Sequence, residues 1–145
     1  MLLVYNENST LVPSEHTLSW EDVVSEFGTN DWRKELLTGL RRALINFAKA
    51  GCSSVLLNGS FVTNKEKPGD YDVAWVEDGV DDNLLDLVFF DYENGCERMK
   101  EEYLGEFFPS RMRTADGRFH RDFFKRIEME QQRGLLKLTL EVYYD

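Results

Sequence analysis

A short apolar run, Ser54-Val55-Leu56-Leu57, stops at Asn58-Gly59-Ser60, and after nine intervening residues a second run begins, Asp70-Tyr71-Asp72-Val73-Ala74-Trp75-Val76. Few arrangements suit such a pair. The first run reads as a buried strand ending in a sharp turn, and Pro68-Gly69 makes another turn before the second strand. Side chains on a strand alternate between faces, so Asp70 and Asp72 share one face, ~6–7 Å apart along the chain. Gly59 lets the backbone approach a ligand closely. Ser60 adds a hydroxyl where a short helical turn can start, so the N–H groups around Gly59, Ser60 and Phe61 can converge on phosphate oxygens. Unit charges ~4 Å apart at a protein surface repel by ~4 kcal/mol, and a divalent cation is the natural way to hold two carboxylates in an enclosed site. Alone, Gly-Ser is an ordinary tight turn and Asp-x-Asp a weak pattern. Their order and spacing point to phosphate and metal chemistry.

This order, a strand, Gly-Ser, a short linker, a turn and Asp-x-Asp on a strand, resembles the DNA-polymerase-β-type nucleotidyltransferase superfamily. The stretch from Pro13 through Trp75, with Glu26-Phe27-Gly28-Thr29-Asn30, Ala50-Gly51-Cys52 and Asn58-Gly59-Ser60-Phe61-Val62-Thr63-Asn64-Lys65, is similar to a small prokaryotic and phage family of nucleotidyltransferase-like proteins of unknown function. Arg133-Gly134-Leu135-Leu136-Lys137-Leu138 adds a weaker match. The resemblance implies an α+β chain with the minimal nucleotidyltransferase fold, a short mixed β-sheet flanked by helices. It implies that Gly59 and Ser60 hold triphosphate oxygens, that Asp70 and Asp72 bind two magnesium ions, and that a later strand supplies a third carboxylate. Glu106, in Tyr103-Leu104-Gly105-Glu106-Phe107-Phe108, takes that place; Glu141, in Thr139-Leu140-Glu141-Val142, is the alternative. The superfamily's usual residue there is Asp. Glu carries one more methylene, so either the strand is displaced or the second metal is held poorly.

The activity implied is transfer of a nucleoside monophosphate from a nucleoside triphosphate to a protein, RNA or small-molecule acceptor, in a setting such as toxin–antitoxin or phage defence. A catalytically inactive nucleotide-binding or partner-binding module on the same fold is the alternative. Lys65 and Lys67 either reach the phosphates as point charges or belong to a solvated Lys-Glu-Lys loop. With little chain left over for an acceptor-binding domain, a homodimer or a partner protein is expected to complete the site.

Composition bounds the remaining classes. One domain is expected over residues 1–145, long enough to bury about two-thirds of the surface that its unfolded form exposes. With 42% hydrophobic and 13% aromatic residues the chain is no candidate for disorder, and no run reaches the ~20 apolar residues of a membrane span. Met1-Leu2-Leu3-Val4-Tyr5-Asn6-Glu7-Asn8 lacks the basic start of a signal peptide, which makes a cytoplasmic protein the expectation. Cys52 and Cys96 have no paired spacing and read as free buried thiols. His16 and His120 stand isolated. A net charge of −10 argues against broad nucleic-acid binding, because affinity for a phosphate backbone rests on Lys and Arg. Against that background Arg111, Arg113, Arg118, Arg121, Lys125 and Arg126 form a basic island, either a solvated helix face or a surface for phosphates or an acidic partner.

The expected elements are few. Ser19 caps a short helix through Phe27, closed by Gly28. Asn30 caps a longer one ending at Gly51, with Leu36, Leu37, Leu40, Leu44, Ile45, Phe47 and Ala48 on its apolar face and Arg33, Lys34, Arg41 and Arg42 on its exposed face. Asp82 to Tyr92 and Cys96 to Tyr103 look helical, although Val88-Phe89-Phe90 reads equally as a strand. Beyond Pro109, a helix is expected from Phe119 to Glu128 and a last strand from Gly134 to Tyr144. The pairs Phe107-Phe108, Phe123-Phe124 and Tyr143-Tyr144 read as core and edge packing rather than a stacking platform.

Overall fold

Two capped helices open the architecture, in a computed structural model that describes residues 15–58, 61, 66–112 and 135–140. The Ser19 side chain accepts a hydrogen bond from the Asp22 backbone N–H at 3.1 Å, starting helix α1 (Trp20–Phe27), which ends at Gly28. Asn30 does the same for helix α2 (Asp31–Lys49), accepting from the Arg33 N–H at 2.9 Å. Gly51, at φ +96°, supplies the left-handed exit from α2 that a glycine tolerates best. The apolar face of α2 is as its periodicity predicts, with one exception. Arg33, expected on the exposed face, is 1% exposed. It lies on the stripe that continues through Leu37, Leu40, Leu44 and Phe47, so helical spacing alone turns it inward.

Strand β1 (Glu15–Leu18), which the sequence reading missed, pairs in parallel with β5 (Leu135–Thr139). Strand β2 (Ser54–Asn58) runs antiparallel to both β5 and β3 (Tyr71–Trp75), and β4 (Gly105–Pro109) lies parallel to β3. The result is a mixed five-stranded sheet in the order β1-β5-β2-β3-β4, and the fold is α+β. One sheet face, formed by Val55, Leu57, Val73, Trp75, Phe107, Leu136 and Leu138, is fully buried. Phe47 of α2 reaches it, with ring centroids 5.2 Å from Trp75 and 5.8 Å from Phe107.

The long helix expected from Asp82 to Tyr92 is absent. Two 3₁₀ turns, Asp82–Leu84 and Leu87–Phe90, stand in its place. Asp81 accepts from the Asn83 N–H at 3.0 Å and Asp86 from the Val88 N–H at 3.1 Å, so aspartate side chains take the N–H groups that a continuing helix needs. Helix α3 (Glu93–Tyr103) opens through left-handed, non-helical backbone at Asn94, Gly95 and Cys96, so its right-handed turns follow Cys96, close to the expected start. It ends on Leu104, also left-handed at φ +67°, so β4 begins one residue later. The expected helix from Phe119 to Glu128, Phe123-Phe124, Tyr143-Tyr144 and the ends of the last strand lie outside the described residues. Phe107 is buried as expected, and Phe108 stacks on Tyr92 at 5.9 Å. Both thiols are free and buried, and burial pushes that of Cys52 up to about 11. No described helix is long and apolar enough to cross a membrane.

α2 and α3 meet closely where Gly39 faces the Tyr103 backbone carbonyl; a Cβ on Gly39 would fall well inside contact distance of that oxygen. Alanine in mid-helix normally gains ~1 kcal/mol over glycine, but overpacking here costs ~1–3 kcal/mol. Gly39→Ala is therefore expected to lower the midpoint of thermal unfolding followed by circular dichroism, the reverse of what helix propensity alone predicts.

Candidate active site

Alternation along β3 sorts the site from the core. Tyr71, Val73 and Trp75 are buried, while the half-buried Asp72 takes the opposite face. Across the sheet Asn58 of β2 stands opposite Asp72, and Asp72 opposite Glu106 of β4, giving a polar row on three neighbouring strands. Asp70, one residue ahead of β3, adds its charge. Burial, then the charges of Asp70 and Glu106 and a hydrogen bond with Glu106, push the Asp72 carboxyl up to about 7. The three carboxylates singled out from the sequence are therefore neighbours.

No local pattern marks the cation beside them. Lys100 Nζ stands 3.0 Å from Glu106 Oε1, and that hydrogen bond is the first cause of the raised Lys100 pKa. The one-residue reversal at Leu104 makes the pair possible, because it folds the start of β4 back along the last turn of α3. Lys100 and Asp70 also line a recess of about 150 Å³ with Trp32, Leu36, Gly69 and Leu104. A larger open hollow of about 550 Å³, bordered by Leu87, Phe90 and Arg98, shares none of those residues.

The N-terminal turn of α2 holds the chain that links β2 to β3. Arg33 Nη1 donates to the Phe61 carbonyl at 3.0 Å and to that of Phe27 at 3.4 Å, with its guanidinium 5.3 Å from the Phe61 ring centroid. Asn30 Nδ2 donates to the Glu66 carbonyl at 2.5 Å, and the Trp32 indole N–H to that of Pro68 at 2.6 Å. Asn30 thus caps its helix with one end of its amide and grips the linker with the other. The sequence showed the cap but not the grip, because a carbonyl 36 residues away leaves no local pattern.

Gly59, Ser60 and Lys65, the expected phosphate-binding residues, and Glu141, the alternative third carboxylate, lie outside the described residues, as do His120 and the basic residues beyond Met112. Lys67 is exposed. Asp70, Asp72 and Glu106 offer hard oxygen ligands with excess negative charge, the donor set that suits magnesium. Among the described residues, no group of three or more His, Cys, Asp and Glu side chains stands ready to hold a metal ion, and Glu106 is paired with Lys100 instead. The donor set fits magnesium in chemistry, and its charge calls for a cation.

Residues 3–139 match a family of unknown function (DUF6932), and the chain belongs to that family. No curated protein and no solved structure matches the chain.

Two substitutions probe this arrangement. Arg33→Met strands the Phe61 carbonyl at a cost of ~1–3 kcal/mol and should lower the thermal midpoint by ~4–8 °C for ~2 kcal/mol. For Asp72, the folded chain holds a proton up to about pH 7 against an ordinary value of 3.8, so stability is lost as pH rises between them. In chelator, Asp72→Asn should melt higher than the wild type, by a margin that widens from pH 5 to pH 8.

Proposed function

We propose that the chain is a magnesium-dependent nucleotidyltransferase of the cytoplasm, moving a nucleoside monophosphate from a nucleoside triphosphate to a hydroxyl-bearing acceptor. The observation that carries the reading is the row of Asp72 and Glu106 on adjacent strands with Asp70 beside them, one of the three pushed up to about 7 by burial and the other charges. Such a site is costly to build without a cation to fill it. Asp70 and Asp72 would hold two ions, with Glu106 as a further ligand to one. Bound there, the ions supply a lowered pKa at the acceptor hydroxyl and neutralise charge on the departing pyrophosphate.

The chain's own residues place the reactants. Backbone N–H groups at Gly59 and Ser60, together with the Lys65 ammonium, are the proposed cradle for the triphosphate. Arg33, Asn30 and Trp32 fix that linker at Phe61, Glu66 and Pro68. The acceptor oxygen, its proton passing to solvent, then attacks the α-phosphorus, the bond to the bridging oxygen of the β-phosphate breaks, and pyrophosphate leaves. A protein or RNA acceptor, a second copy or a partner protein, and a toxin–antitoxin or phage-defence setting belong to the same proposal. A second reading, a nucleotide-binding module without turnover, is favoured by one observation: Glu106 is tied to Lys100.

Titration calorimetry of the four nucleoside triphosphates with magnesium tests the reading. Binding should occur in the wild type and weaken at least ~100-fold, ~2.7 kcal/mol, in Asp70→Asn/Asp72→Asn. Absence of binding by the folded wild type would overturn it. Where binding is seen, release of pyrophosphate in the presence of acceptor fractions separates the transferase from the inactive module.

A further inference from the structure

Three carboxylates and one ammonium share the candidate site, and their charges do not cancel. With Asp72 ionised, Asp70, Asp72 and Glu106 would bring three negative charges against the one positive charge of Lys100, a deficit that one divalent cation would fill. Lys100 is placed to matter. Among the described residues its ion-pair partner is Glu106, at 3.0 Å, and it borders the recess that Asp70 also lines. Its position follows from the fold, since it occupies the last turn of α3 while the left-handed residue Leu104 sends β4 straight back past it.

We infer that Lys100 is the resident counter-ion of the third carboxylate: it holds Glu106 in the nucleotide-free chain, where Asp70 and Asp72 take a single divalent cation, and a second cation binds Glu106 only after Lys100 has let go. The inference rests on the nucleotidyl-transfer reading of the same site. Lysine suits the exchange better than arginine does. An ammonium is a compact point charge on a flexible stem, whereas a guanidinium would grip the carboxylate with a planar fork. The Lys100 side chain is 45% exposed, which leaves the stem room to turn. Its three N–H donors find an equivalent partner in triphosphate oxygens, so arrival of the nucleotide draws Lys100 away and frees Glu106 for the second cation. On this account the longer Glu106, in place of the usual Asp, is what reaches the lysine. The pairing is then a resting state rather than the loss of a ligand.

Counting bound Mn²⁺ by the electron paramagnetic resonance signal of the free ion tests this without any activity. The wild type should bind one ion per chain, rising to two with an ATP analogue that cannot be cleaved between its α- and β-phosphates. Lys100→Met should bind two without nucleotide, and Lys100→Gln should repeat that result. Glu106→Gln should stay at one throughout. A single ion in both lysine variants, or two in the nucleotide-free wild type, would overturn the role of Lys100 while leaving the metal-dependent reading in place. No bound Mn²⁺ in any of the folded proteins would overturn both.

Discussion

The polar row can exist because the opposite face of the sheet is closed. Val55, Leu57, Val73 and Phe107 are shut away from solvent beneath α2 and α3, with Phe47 against Trp75, Phe89 and Phe107. Each large apolar side chain buried there contributes ~1.5–3 kcal/mol. A strand has period two, so sliding β3 by one residue would carry Asp72 into this core and Val73 out of it. Core packing therefore sets where Asp72 and Glu106 face, and holds them side by side although their charges oppose it. The penalty surfaces at Asp72, whose carboxyl keeps its proton to about pH 7.

Geometry at the ends of helices turns that sheet into a site. At one end of the polar arrangement, the start of α2 uses three side chains within four residues, a cap amide, an indole N–H and a buried guanidinium, to seize carbonyls at residues 66, 68 and 61. Backbone carbonyls are obligatory acceptors, so these bonds both satisfy the linker and restrict it. At the other end, α3 stops on a left-handed leucine and hands the chain to β4 within one residue. A leucine in that conformation costs ~1–2 kcal/mol, and the close packing of Gly39 on Tyr103 helps hold it. The tight reversal is what sets Lys100 beside Glu106.

On the proposed function, Lys100 and a divalent cation are alternative answers to one electrostatic problem. Carboxylates crowded on neighbouring strands need positive charge. An ammonium provides one unit without fixing geometry, while a divalent ion provides two and draws the oxygens around it. The recess lined by Trp32, Leu36 and Leu104 lies beside Asp70 and Lys100.

Much of this was legible locally. Ser19, Asn30, Gly28 and Gly51 marked the helix ends, because caps act within four residues. The runs at residues 54–57 and 70–76 marked β2 and β3, and with them Asp70 and Asp72 on the site. Other features were out of reach. The 3₁₀ turns at residues 82–90 depend on which N–H groups Asp81 and Asp86 capture, and β1 gains its identity only from its partner β5. Charge alone places Arg33 on the exposed face, whereas helical spacing turns it inward. Sequence by itself determined helices α1 and α2, strands β2 and β3 and the identity of two carboxylates, since caps and periodicities are interactions between near neighbours. Tertiary structure decided that Glu106 stands beside Asp72, that Lys100 answers it, and that Arg33 turns inward to hold Phe61. Those are meetings between distant segments, and strand register and core packing alone select them.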